Sequence, residues 1–236
     1  MKITIAPSIS LKLGYLRLTD CRVAASSDAL RKTYEDVAAV ARERFSNSPL
    51  GEHPAISGVR QLFKSSGIDP SRHRPSGEAL VRRIIKGQSL YNINCIVDIN
   101  NICSIESLFP LGSYDCHHSV GDINIRLGTD EESYEGIGKQ IGISGKLVSA
   151  DSEGAFGSPI ADSNRTKITE STREVLVLLY ATESTDDRDI AEPLSRFASL
   201  ASEHAGARTL DSGIYSAERG DGQKSDYFCV ATPDVR

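Results

Sequence analysis

Three segments of the chain combine side chains whose types and spacing suit the binding of a polar or anionic ligand: residues 72–83, 92–101 and 157–166. In the first segment, Arg82 and Arg83 belong to a basic patch that is able to hold phosphate oxygens, because guanidinium groups pair well with phosphate. The surrounding stretch, residues 60–86, holds seven basic residues against two acidic ones. A single arginine here also suits a solvated helix face, so only the cluster indicates an anionic partner.

The second segment places Asn94, Asp98 and Asn101 at helical spacings of four and three within an otherwise apolar sequence. On a helix these side chains share one polar stripe, which is partly buried and therefore needs hydrogen-bond partners. Two interpretations remain open. The stripe is either a structural network that fixes a loop or the wall of a pocket that binds a polar ligand.

The third segment precedes an apolar strand and concentrates hydroxyls, a carboxylate, an amide and a guanidinium. Loops dense in such groups often carry function, because the rigid element behind them places their side chains, here those of Asp162, Ser163, Arg165 and Thr166. Asp162 and Arg165 equally suit a salt bridge that stabilises the turn.

The common catalytic and metal-binding motifs are absent from the sequence. It contains no phosphate-binding loop, no dinucleotide fingerprint, no zinc-protease helix and no serine-hydrolase elbow. His117 and His118 are adjacent, so they diverge on a strand and suit surface positions, although either is able to carry a proton near neutral pH. We therefore predict no metal and no cofactor.

Composition is that of a globular protein, with 39% hydrophobic and 25% charged residues. No apolar run approaches the roughly 20 residues that span a bilayer, and residues 1–9 lack a signal-peptide pattern. The five cysteines form no C-x-x-C pair, which argues against disulfides and structural zinc. These features predict a soluble, cytoplasmic protein that does not bind a membrane. The net charge of −5 argues against a broad nucleic-acid surface.

Helices dominate the first half of the predicted structure. After apolar stretches at 3–5 and 11–23, Ser26 or Ser27 caps a helix that reaches Phe45. Further helices are predicted at 53–66, from a Ser76 cap to about residue 86, and at 92–107. The β-branched content of the last one weakens the helical preference.

Strands dominate the second half. Apolar stretches at 123–127, 133–137, 147–150 and 175–180 alternate with turns, and the last is apolar on both faces, which is typical of a central strand. A helix capped near Asp186 or Asp187 follows. The chain from Gly206 onward is polar and predicts a mobile tail. We predict one compact domain over residues 1–236, an α+β fold with a mixed, mostly antiparallel sheet flanked by helices.

Six short motifs, in this order, resemble the editing and tRNA-contacting domain of the phenylalanyl-tRNA synthetase beta subunit (its B-three/B-four domain pair). They are P-S-x-E-A-L-x-x-R (75–83), I-N-x-x-V-D-x-x-N (93–101), P-x-x-x-Y/F-D (110–115), a Gly-Asp turn followed by I-x-x-R (121–126), D-x-x-G (151–154) and D-S-x-R-T (162–166). The resemblance covers about residues 60–182. No part of the chain resembles the synthetase's catalytic core or its anticodon-binding end.

The resemblance implies an editing factor that hydrolyses the ester of mischarged tRNA in trans, with the aminoacylated acceptor end as its partner. In the synthetase this domain removes tyrosine from tRNA. There the motif reads P-L-H-x-F-D, whereas this chain has Gly112 in place of the histidine that lines the editing pocket. The specificity of the pocket is therefore expected to differ.

In this hypothesis Asn94, Asp98 and Asn101 form the pocket wall and Asp162 also binds substrate. The catalytic side chains of Ser163, Arg165 and Thr166 supply hydrogen-bond donors or orient water, while Arg82 and Arg83 bind acceptor-end phosphates. An aminoacyl ester is already activated, so positioning a water and stabilising the oxyanion suffice for hydrolysis. Asp98 also suits a structural role as a carboxylate bonded to backbone donors, which we favour. A non-catalytic tRNA- or RNA-binding module is the main alternative, and a hydrolase of other aminoacyl or amide compounds is a third.

Overall fold

The computed structural model describes residues 1–216, and they form ten strands and five helices. The strands are β1 (Ile3–Ile5), β2 (Leu11–Thr19), β3 (Leu111–Asp115), β4 (Ile123–Leu127), β5 (Ser133–Gly136), β6 (Lys139–Gly142), β7 (Leu147–Asp151), β8 (Gly154–Gly157), β9 (Val175–Thr182) and β10 (Arg208–Ser216). The helices are α1 (Asp28–Phe45), α2 (Pro54–Ser65), α3 (Ser76–Ile85), α4 (Cys95–Ser107) and α5 (Asp187–Ala205).

The strands form two four-stranded sheets and one hairpin. The first sheet has the order β1-β4-β7-β8, in which β1 pairs in parallel with β4 and the other pairs are antiparallel. The second has the order β10-β2-β9-β3 and is antiparallel throughout, and β5 pairs with β6. The predicted α+β class with a mostly antiparallel sheet is therefore confirmed.

The central strand β9 lies between β2 and β3, as its sequence predicts. Residues 175–181 of this strand have no exposed surface, because helices or the other sheet cover both faces. Helix α5 packs on β2, β9 and β10, while α4 packs on α1, α3, α5 and β3. The core therefore lies between the second sheet and the helices. After β3, an edge strand of the second sheet, the chain continues into β4 of the first sheet.

Helix ends follow the polar residues that precede them. The Ser27 side chain accepts the Leu30 N–H at the start of α1, and Asp186 accepts the Arg188 N–H at the start of α5. Gly206, with a φ of 62°, ends α5 in the left-handed conformation that glycine adopts without strain. The predicted cap at Ser76 is wrong, because Ser76 is the first helical residue of α3 and its N–H donates to the Pro159 carbonyl.

The tail predicted from Gly206 is wrong for residues 208–216, which form β10. This strand pairs with β2 over almost its whole length, with one register shift between Thr209 and Asp211. The strand predicted at 11–23 ends earlier, at Thr19, because Asp20 has a positive φ of 61°. The remainder of the predicted tail, including the Gly-rich segment at 219–222, lies outside the described residues, and the single domain over 1–236 stays a prediction.

None of the helices within residues 1–216 is long and apolar enough to cross a membrane.

Candidate functional site

Asp162 lies in the loop after β8, and backbone hydrogen bonds hold this loop on both sides. The Ser163 N–H donates to the Phe156 carbonyl of β8 at 3.0 Å, and the Asn164 N–H donates to the Glu135 carbonyl of β5 at 2.7 Å. The loop is thus fixed between β8 and the β5–β6 hairpin, and the predicted substrate-binding carboxylate has a defined place.

Three tyrosines from three strands surround the Asp162 side chain. The hydroxyls of Tyr114 on β3 and Tyr180 on β9 lie 3.5 Å apart, and the Tyr180 hydroxyl lies 2.7 Å from that of Ser149 on β7. Tyr134 on β5 donates to the Ala161 carbonyl at 2.6 Å. This polar cluster therefore connects the two sheets, with Asp162 at its edge.

Asp162 is half-buried as a residue, and the burial of its carboxyl changes its acidity. Burial raises the pKa of Asp162 to about 7, and the neighbouring Tyr114 hydroxyl offsets part of this rise. Burial likewise raises the pKa of Tyr134 to about 12 and that of Tyr114 well above its ordinary value, with the Asp162 charge adding to both. At neutral pH the tyrosines are neutral, while Asp162 is divided between its acid and base forms.

Two glycines make room for the Tyr114 ring. A Cβ at Gly112 would lie 2.2 Å from the Tyr114 hydroxyl oxygen, and a Cβ at Gly157 would lie 2.4 Å from the ring. The ring packs edge-on against Phe156, with centroids 5.0 Å apart, and has no exposed surface. The space beside Gly112, where the resembling synthetase domain has a histidine, is filled by Tyr114.

Ser163 and Thr166 are buried and bonded to each other. Their hydroxyls lie 3.1 Å apart, Ser163 Oγ accepts the Thr166 N–H at 3.3 Å, and Thr166 Oγ1 donates to the Phe156 carbonyl at 3.2 Å. Both side chains are nearly or fully inaccessible. In this arrangement they hold the turn that carries Asp162 and do not face solvent, where a substrate ester would arrive.

Arg165 joins the loop to the turn between β7 and β8. Its guanidinium makes two hydrogen bonds of 2.9 Å to the Asp151 carboxylate, and it also donates to the His118 carbonyl at 2.8 Å. Burial raises the pKa of Asp151, but hydrogen bonds from Arg165 and from backbone N–H groups outweigh this and leave it below its ordinary value. The interpretation of Asp162 and Arg165 as a salt bridge is therefore wrong, since the ion-pair partners of Arg165 are Asp151 and Glu153.

The asparagine–aspartate segment forms the start of α4 and has a structural network of its own. Asn94 is the N-cap and accepts the Val97 N–H at 3.0 Å. The buried Asp98 carboxylate accepts the Ile93 N–H at 3.0 Å and the Ser26 hydroxyl at 2.5 Å. In these bonds a backbone donor and a hydroxyl satisfy the carboxylate, which is the arrangement that the structural interpretation of Asp98 predicts.

Asn101 is half-buried on the same helix and interacts with Tyr34 of α1. Within residues 1–216, no hydrogen bond or ion pair joins the 92–101 segment to the 157–166 loop. Asn94, Asp98 and Asn101 therefore have no direct hydrogen bond to the loop that carries Asp162.

The two predicted phosphate-binding arginines have different surroundings on α3. Arg82 donates to the fully buried Glu78 at 2.6 Å, together with Arg60 of α2. Arg83 packs over the exposed Tyr91 ring at 4.3 Å and donates to the Ser89 carbonyl at 2.6 Å. Arg82 therefore belongs to a cluster with Arg60, whereas Arg83 does not.

A separate groove of about 860 Å³ lies between α2, the end of α4, and the start of α5. Its lining includes the carboxylates of Glu106, Asp189 and Glu192, and it contains none of the predicted site residues. An acidic groove repels phosphate, so it does not suit the predicted partner.

Sequence analysis misses the tyrosine cluster around Asp162 and the role of Glu78. Tyr114 and Tyr180 are 66 residues apart, and no local pattern indicates that they meet. Glu78 has a clearer signal, since it lies four residues before Arg82 and four after Arg74, a spacing that aligns charges on a helix. Residues 1–216 contain no group of three histidine, cysteine or carboxylate side chains arranged to hold a metal.

The chain matches a known domain family and part of a known enzyme subunit. The family model of the B3/4 domain matches residues 58–204. A phenylalanine–tRNA ligase beta subunit from Psychrobacter arcticus is 34% identical over 121 residues, which is 49% of this chain and 14% of that protein. The chain thus aligns with only a small part of that relative.

A solved N-terminal fragment of the phenylalanyl-tRNA synthetase beta subunit from Pyrococcus horikoshii matches 89% of this chain and 50% of its own length. The sequence identity is 12% and the TM-score is 0.45. The family match spans more than half of the sequence and includes the Glu78 cluster, α4 and the Asp162 loop. The chain belongs to the B3/4 domain family and is similar to a domain of the phenylalanyl-tRNA synthetase beta subunit.

Proposed function

We propose that this protein hydrolyses the ester bond of mischarged aminoacyl-tRNA in trans, in the cytoplasm. The observation that carries this proposal is the carboxyl of the half-buried residue Asp162, whose pKa of about 7 lies at the pH where a general base works best. The similarity to a subunit of a tRNA ligase supports a tRNA substrate.

The reaction needs one proton acceptor and a positioned water. The ionised Asp162 takes a proton from the water while the water oxygen bonds to the ester carbonyl carbon. When the tetrahedral intermediate collapses, the bond from carbon to the ribose oxygen breaks and Asp162 returns the proton to that oxygen. The products are the free amino acid and a tRNA with a free ribose hydroxyl, so atoms and charges balance.

The neighbours of Asp162 act as positioning residues in this proposal. Ser163 and Thr166 close its turn, and Arg165 fixes the turn against Asp151. None of the three needs to contact the substrate. This assignment replaces the direct catalytic roles expected from their residue types.

The test is to incubate the purified protein with a panel of correctly and wrongly charged tRNAs and to follow ester loss. We expect hydrolysis of at least one mischarged tRNA and a decrease of at least about 100-fold in the Asp162→Asn variant, since general-base catalysis contributes about 10²–10⁴-fold. Asp36→Asn on the exposed face of α1 is the matched control and should retain full activity. Equal rates for wild type and Asp162→Asn would contradict the role of Asp162.

A second candidate function is a non-catalytic module that binds tRNA without hydrolysis. The observation that favours it is the Tyr114 ring, which fills the space beside Gly112 and reduces the room for an aminoacyl group. Measurable tRNA binding with no ester loss for any tRNA of the panel would support this alternative over the hydrolase.

A further inference from the structure

Glu78 on α3 organises three arginines into one cluster. Arg60 donates to both carboxylate oxygens, at 2.8 and 2.7 Å, and Arg82 Nε donates to Oε1 at 2.6 Å. Arg74 completes the cluster, with its Nε 3.6 Å from Oε1. Glu78 has no exposed surface, and these three arginines are its ion-pair partners.

The cluster carries more positive charge than its one carboxylate neutralises. Burial favours protonation of Glu78, but the hydrogen bonds from Arg60 and Arg82 outweigh it and hold the pKa of Glu78 below its ordinary value. Glu78 is therefore ionised at neutral pH, which leaves an excess of two positive charges. Within residues 1–216, no other carboxylate forms an ion pair with these three arginines.

The surplus charge faces outward. The side chains of Arg60, Arg74 and Arg82 are 27%, 40% and 37% exposed, respectively. The bidentate Arg60 alone neutralises the charge of Glu78, so a purely structural ion pair does not need Arg74 and Arg82. The repulsion among the three guanidinium groups costs energy. The Arg74 Nε is buried and has only the 3.6 Å ion-pair contact with Glu78, so Arg74 is held less tightly by this carboxylate than Arg60 and Arg82. Arg72 and Lys146, both close to His73, extend the basic surface.

The cluster also lies beside the candidate catalytic loop. The Ser76 N–H at the start of α3 donates to the Pro159 carbonyl at 2.9 Å, and Pro159 is three residues before Asp162. Arg74 precedes Ser76 by two residues. A phosphate bound by Arg74 would therefore lie on the same side of the molecule as an ester at Asp162.

We propose that Arg60, Arg74 and Arg82, oriented by Glu78, form a binding site for the phosphodiester backbone of RNA. This inference rests on the proposed function in that tRNA is the ligand, and it replaces the predicted pair of Arg82 and Arg83. Arg83 is outside the site because its guanidinium packs on Tyr91.

The test uses an uncharged RNA minihelix with the acceptor-arm sequence of a tRNA, and fluorescence anisotropy measures its affinity. Arg74→Gln removes a guanidinium that makes no hydrogen bond to Glu78, so the variant should fold, which thermal unfolding would verify. We expect the affinity to fall about 5- to 10-fold and the salt slope to decrease by about 1. Arg82→Gln should have a similar effect.

Arg83→Gln on the same helix is the matched control and should change the affinity less than twofold. An unchanged affinity in Arg74→Gln, an equal loss in Arg83→Gln, or no RNA binding by the wild type would overturn the site.

The outcome is separable from that of the hydrolysis assay. If the RNA binds through Arg74 but no ester is cleaved, the site stands and the hydrolase fails. If ester is cleaved with an unchanged KM in Arg74→Gln, the hydrolase stands and the site fails.

Discussion

At the residue scale, the main feature is a carboxyl whose acidity is set by its neighbours. The sequence indicates Asp162 as a candidate because it lies in a loop rich in polar groups. Its raised pKa has a different origin, namely burial beside Tyr114, Tyr134 and Tyr180, which come from three different strands. Sequence analysis therefore finds the residue, while its chemistry depends on contacts across the fold that no local spacing encodes.

This carboxyl should make folding stability depend on pH. The pKa of Asp162 is raised from an ordinary value of 3.8 to about 7, so the folded state holds the proton more tightly than the unfolded state. The protonated carboxyl therefore contributes on the order of 2 to 4 kcal/mol to the free energy of unfolding below pH 4. This contribution is lost as the pH rises to about 7. Asp162→Asn should lose less stability than wild type between pH 5 and pH 8 in urea unfolding. Parallel pH profiles for the two proteins would contradict the raised pKa.

A second prediction at this scale concerns the space beside Gly112. Gly112→Ala places a Cβ 2.2 Å from the Tyr114 hydroxyl, and the ring cannot move away because Gly157 and Phe156 pack against it. The free energy of unfolding should fall by about 1 to 3 kcal/mol. The same substitution should cost less in a Tyr114→Phe background, which lacks the hydroxyl. A double-mutant cycle with no coupling would show that Tyr114 does not fill this space.

At the element scale, local sequence patterns predict the helices and the central strand. They do not predict which distant segments pair as strands. Ser27 and Asp186 cap α1 and α5, and the apolar run of β9 gives its central position. Strand β10 has the composition of a polar tail, yet it pairs with β2, whose residues are almost 200 positions away in sequence. Its structure depends on the open edge of β2, which a local pattern does not reveal.

Arg165 connects two elements and offers a test between a catalytic and a structural role. Arg165→Ala leaves the buried Asp151 carboxylate without its bidentate partner, so the free energy of unfolding at pH 7 should fall by about 2 to 4 kcal/mol. Arg165→Lys should recover only part of this loss, because an ammonium cannot form the two parallel bonds.

The pH dependence of this pair has the opposite sign to that of Asp162. The pKa of Asp151 is lowered in the folded state, so its stabilisation is present above its ordinary pKa and is lost as the pH falls through the folded value. Urea unfolding of wild type and Arg165→Ala at pH 7 and pH 3 measures the loss of stability in the variant and its dependence on pH. An Arg165→Ala protein of wild-type stability that fails to cleave ester would instead favour a direct catalytic role.

At the scale of the whole molecule, the protein is acidic but carries a local basic cluster, formed by Arg60, Arg74 and Arg82. The net charge is −5, and the excess positive charge of the Glu78 cluster is local. RNA binding should therefore involve few phosphates, and log K should fall with log salt with a slope of about −2 to −3, one phosphate for each arginine. Anisotropy titrations of the minihelix between 50 and 200 mM salt, roughly the range where the effect is large, give this slope. A slope steeper than about −5 would mean that the RNA contacts a much larger basic surface than this cluster, and the three arginines would then not define the binding face.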